Sequence, residues 1–127
     1  MVFQKVLLIV SFCVISAANV SPPRDIVQGF ENSDAKAVSN HFNNSVELII
    51  SNRTNVYSKA HAEQILRSFF NDNANPSGKF TYKHLHGSHR DNVQYFIGEL
   101  HTGKGIYRIT IHMKDRVIHQ IRIESND

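Results

Sequence analysis

Apolar positions along this 127-residue chain follow a helical period first and a strand period afterwards. After an apolar opening stretch, Pro22-Pro23 lead into a short helix over Arg24 to Glu31, with Ile26, Val27 and Phe30 on one side. Ser33 is the expected cap of a second helix, with Asp34 in its first turn to suit the positive end of the helix dipole. Ala35, Val38 and Phe42 at i, i+3 and i+7 form its apolar side, and Asn43-Asn44 end it. Val46 to Ile50 reads as a strand and Asn55 to Tyr57 as its short partner. Ser58 then caps the main helix, Lys59 to Asn73, whose stripe Ala62, Ile65, Leu66, Phe69 and Phe70 is the clearest helical signal in the chain. Glu63 and Arg67 add a favourable i, i+4 pair on its flank.

From Lys79 on the period is two. Four strands are predicted, over Lys79–His86, Val93–Leu100, Ile106–Met113 and Val117–Glu124. Tyr107, Ile109, Ile111 and Met113 alternate with Arg108, Thr110 and His112, so the odd set faces the helix. The same alternation turns Phe80, Tyr82 and His84 inward on the first of these strands, and Val117, His119, Ile121 and Ile123 inward on the last. Tyr95-Phe96-Ile97 is apolar on both sides and leaves the facing of Tyr95 and Phe96 open. For the last hairpin, a two-residue turn at Asp115-Arg116 would set His112 opposite His119, but also Ile111 opposite Gln120 and Ile109 opposite Arg122. A three-residue turn, Lys114 to Arg116, pairs Met113 with Val117 and Ile109 with Ile121, keeps the apolar row together, and sends the two histidines to opposite faces.

One long amphipathic helix and a long antiparallel sheet must bury their apolar faces on each other, which defines an α+β fold. Four features resemble a family of small exported bacterial proteins known only as a domain of unknown function. They are an N-terminal signal, Val46-Glu47-Leu48, Tyr57-Ser58-Lys59-Ala60 running into Ile65-Leu66-Arg67-Ser68-Phe69-Phe70, and the closing Ile121-Arg122-Ile123-Glu124. The resemblance implies a cone fold of the nuclear-transport-factor-two-like kind, part of the cystatin-like superfold, in which a curved sheet wraps one long helix. It implies no catalytic motif.

The opening stretch supplies an address. Lys5, the apolar run Val6 to Ile15 and the small exit Ser16-Ala17-Ala18 read as a signal peptide over residues 1–18. The apolar run is about half what a bilayer span requires. The expected organisation is therefore residues 1–18 as signal and 19–127 as a single cone-fold domain, located in the periplasm or outside the cell, with no stable membrane insertion after cleavage. Cys13 would leave with the signal, so stability must come from packing. Phe12 stands just before Cys13, where a lipoprotein signal has a small residue, which argues against lipid attachment. Asn19, Asn43 and Asn52 sit in N-x-S/T triplets.

Fourteen basic and eleven acidic residues give a net charge of +3, falling to +2 without Lys5, too weak to call for a nucleic-acid partner. The sequence shows no phosphate-binding glycine loop, no G-x-S-x-G elbow and no carboxylate pair in a predicted pocket. Eight histidines are a surplus, and His84-Leu85-His86 has the spacing that puts two imidazoles on one face of a strand. With no cysteine and few carboxylates nearby, neither a metal site nor a cofactor is expected. In a cone fold the open end of the sheet leaves a pocket beside the helix, and the inward polar residues His84, His119, Tyr82 and Tyr107 are the ligand-binding candidates. The predicted function is a non-catalytic binding module for a small molecule, peptide or protein. The alternative is a small lyase, isomerase or hydrolase using a pocket His and Tyr, which lacks a carboxylate to orient the imidazole. The outer sheet face, with Arg108, Thr110, His112 and Arg122, is the surface through which a homodimer would form.

Overall fold

The protein is described by a computed structural model over residues 20–126; the expected signal, residues 1–18, lies outside the described residues. Its elements are α1 (Arg24–Glu31), α2 (Ala35–Ser39), β1 (Phe42–Ile50), β2 (Arg53–Ser58), α3 (Lys59–Asp72), β3 (Thr81–Arg90), β4 (Val93–Thr102), β5 (Gly105–Lys114) and β6 (Val117–Ser125). All six strands form one sheet in the order β2-β1-β6-β5-β4-β3, antiparallel except where β1 meets β6. The three helices cover its concave side.

α2 is shorter than the periodicity predicts. Asp34, not Ser33, is its cap and accepts from the Ala37 amide at 3.1 Å, while Ser33 sits at φ 54°. Phe42 falls out of the helix and begins β1, because its side chain is buried equally well from a strand next to Ile118. The cap at Ser58 is as the sequence predicts, accepting from the His61 amide at 3.2 Å, and Arg67 donates to Glu63 at 3.2 Å. Glu63 also accepts from the Ser39 hydroxyl at 2.6 Å. That bond, ahead of the opposing effect of burial and aided by Arg67 and Lys36, holds its carboxyl below the usual range.

One continuous core lies between sheet and helices. Leu66 and Phe70 of α3, Ile26 and Phe30 of α1, and Ile109, Ile111, Ile121 and Ile123 of the sheet are all at most 1% exposed. Phe70 is the hub, packed edge-on against Phe30 and Phe80 with ring centroids 5.8 Å apart in each case. The facing of β4 is settled here: Phe96 is buried inward opposite Ile111, and Tyr95 points outward.

Two β-bulges change which way the histidines point. In β3 the register shifts around Leu85, so His84 lies beside Gly98 and His86 beside Ile97, residues of opposite facing. The i, i+2 histidine pair is thereby split. The β5–β6 hairpin corrects the predicted three-residue turn. Its loop is two residues, Asp115-Arg116, both at positive φ (52° and 67°), and Lys114 pairs with Val117. The apolar mismatch that such a turn would create is removed by a bulge on β6. Met113 pairs with Ile118 and His112 with Gln120, so His119 is the extra residue and the inward set becomes Ile118, Ile121 and Ile123.

Candidate functional site

Because β2 pairs with β1 in register, Arg53, Asn55 and Tyr57 stand beside Ile50, Leu48 and Val46 and share their concave face. β2 is the sheet's edge and its residues are exposed apart from Tyr57, which is half-buried. α3 leaves Ser58 and turns back over the sheet, presenting Ile65, Ser68, Phe69 and Asp72 on one side at i, i+3, i+4 and i+7. Between these two rows lies the largest cavity described, about 580 Å³, with Leu48 and Ile50 as its floor. Among the described residues α3 alone packs over this end of the sheet, and the core ends at its Ile65 and Phe69. The arrangement can accommodate a small ligand's apolar body on Leu48, Ile50, Ile65 and Phe69 and meet its polar groups with Arg53, Asn55, Ser68 and Asp72.

The four residues singled out from sequence do not meet in this cavity. Tyr107 faces inward as expected, but it packs edge-on against Phe69 at 5.0 Å and donates to Asn73 Oδ1 at 2.6 Å. Asn73 in turn donates to the Phe69 carbonyl and accepts from the Gly103 amide at 2.9 Å in both cases. The tyrosine thus fastens the end of α3 to the β4–β5 hairpin. Tyr82 and His84 face inward on β3, at the opposite edge of the sheet, where the Tyr82 ring lies over Gly98. Among the described residues the Tyr82 hydroxyl and both His84 ring nitrogens are buried without a hydrogen-bond partner, and burial pushes the Tyr82 pKa up to about 12.

His119 is on the other side of the sheet. Its expected inward facing is overturned by the β6 bulge, which brings its ring within 6.5 Å of His112 on the outer face. His112 stacks on Tyr95 at 4.4 Å and 13°. Ser45, Glu47, Val56 and Gln120 complete a shallow outer groove of about 370 Å³ around the histidines. Burial, then His119, then Lys114 lower the His112 pKa. Among the described residues no group of three or more His, Cys, Asp or Glu is arranged to hold a metal ion. Two imidazole–carboxylate contacts escaped the sequence reading, His41–Asp25 at 2.7 Å and His101–Glu99 at 3.3 Å, and neither lines the large cavity. The cavity itself was legible only in part: the alternation of Arg53, Asn55 and Tyr57 is visible in the chain, but not that the core stops short of them.

A curved sheet wrapped around one long helix, with a pocket left where the helices stop, is a cone-fold α+β protein of the NTF2-like class. More narrowly, the chain belongs to the family DUF4783, described as a domain of unknown function, whose profile matches residues 23–124. It is similar to the crystal structure of a DUF4783 family protein from Bacteroides uniformis, at 27% identity and a TM-score of 0.75, covering 84% of this chain and 99% of that one. A second DUF4783 structure, from Bacteroides ovatus, is 25% identical with a TM-score of 0.74, covering 84% and 96%. An NTF2-like protein of unknown function from Cytophaga hutchinsonii shares the fold alone, with a TM-score of 0.57, 9% identity and coverage of 80% and 84%. No curated protein matches the chain.

Proposed function

We propose that this protein is an exported, non-catalytic binding module that takes a small molecule into the cavity between α3 and the β1–β2 edge. The observation that carries the reading is the cavity's construction: an apolar floor continuous with the core, open at one side, with polar side chains confined to its walls and rim. Export rests on the leader read from residues 1–18. A catalytic reading finds less support, since the cavity lining contains no histidine, and the histidines that do touch carboxylates lie elsewhere.

The test is a fragment screen on the full chain, read by amide and methyl chemical shifts. Perturbations are expected to cluster on Leu48, Ile50, Tyr57, Ile65 and Phe69, and Ile65→Trp should fill the space and erase them while the melting temperature holds. Hits that cluster on the outer groove around His112 and His119, or none at all, would overturn the proposal.

A further inference from the structure

Among the described residues the cavity wall carries two formal charges, Arg53 and Asp72, one of each sign. Neither takes part in an ion pair or side-chain hydrogen bond among the described residues, although both line the same space. Asp72 is moreover badly placed for its own helix. It is the last residue of α3, where the backbone carbonyls present a negative end, and no basic residue occupies that last turn. A positive group from outside the helix would find a favourable place there.

Charge complementarity then restricts the occupant. A monoanion would suit Arg53 but meet Asp72 and the helix's negative end. A monocation would suit those two and be opposed by Arg53. A neutral amphiphile would leave both rim charges as they are. An occupant that carries one charge of each sign satisfies both, while Leu48, Ile50 and Phe69 take its apolar part.

Resting on the pocket reading above, we infer that the cavity recognises a zwitterionic head on an apolar body, the chemistry of a free apolar α-amino acid. The carboxylate faces Arg53, whose planar fork suits it, and the ammonium faces Asp72.

Four probes that differ in charge but share one ring test this on the full chain: phenylalanine, N-acetylphenylalanine, phenylalanine amide and N-acetylphenylalanine amide. Affinities are read by chemical-shift titration of Ile50, Ile65 and Phe69. Phenylalanine is expected to bind roughly three- to five-fold tighter than either singly blocked form, the size of one rim ion pair. Arg53→Gln should abolish the advantage over the amide and Asp72→Asn the advantage over the acetyl form, each with an unchanged melting temperature because both side chains are exposed. Equal or tighter binding of a blocked form, an advantage that survives both substitutions, or no binding by any probe would overturn the zwitterion assignment. The pocket itself is judged separately, by whether Ile65→Trp removes the fragment-induced shifts.

Discussion

The two ends of the concave face are built from the same kind of alternating strand and end in opposite conditions. At the β3–β4 end, α1 and the chain entering it cover the sheet. Phe30, Phe70 and Phe80 interlock, Pro22 is buried, and the backbone of Val20 occupies the space where a side chain on Gly87 would be. At the β1–β2 end only α3, among the described residues, lies over the sheet, and Ile50, Tyr57 and Ile65 stay half-buried around an open cavity. What separates them is helical cover, not strand composition. The covered end holds the tightest apolar packing and, among the described residues, buried polar atoms without partners; the open end leaves its walls partly exposed.

Predictions that break or sharpen this contrast begin with the core. Phe70→Ala should cost about 3–5 kcal/mol in a urea or thermal melt, while Ile65→Ala at the open end should cost about 1 kcal/mol or less. Similar losses at the two positions would mean that the ends are not differently packed. Gly87→Ala comes next, at about 1–3 kcal/mol, since a Cβ there runs into the Val20 carbonyl and backbone must move. Deuterium exchange should show the loosening confined to α1 and the chain entering it.

Smaller effects probe the trapped polar groups. Tyr82→Phe removes a buried hydroxyl that has no partner among the described residues, so stability at neutral pH should be unchanged or slightly higher, within about 1 kcal/mol. Its pKa is raised from 10 to about 12, so the folded state keeps a proton that the unfolded chain releases. The wild type should therefore lose stability between about pH 10 and 12, and the variant should lose less; identical alkaline profiles would place the ring in water. On the outer face the sign reverses. The His112 pKa is lowered, so the unfolded chain takes up protons first and stability should fall as the pH drops below the ordinary histidine value. His112→Gln should flatten that acid limb slightly, measured as melting temperature across about pH 5 to 8.

Secondary structure was legible wherever local chemistry decided it. Ser58 as cap, the α3 stripe and the alternation of Tyr107 to Met113 all rest on neighbours within one or two turns or a few strand positions, and they appear in the fold as read. The misplacements are informative by contrast. Phe42 satisfies a helical stripe and a strand alike, and Ile118 across the β1–β6 pair decided between them. His119 was placed inward by counting along an unbroken strand. The hairpin instead combined the short turn with a bulge, a solution that preserves the apolar row and that pairwise register counting does not contain.

By itself, then, the amino-acid order determined one amphipathic helix and a period-two second half, because those follow from backbone geometry and the burial of apolar side chains; the family was legible only as a resemblance of motifs. Only the tertiary structure decided where the core ends. An open cavity is a property of what fails to cover a surface, and the row Arg53, Asn55 and Tyr57 reads the same whether a helix lies over it or not. Tyr107 shows the same dependence from the other side: its hydroxyl is structural because the end of α3 brings Asn73 to it, 34 positions away in the chain.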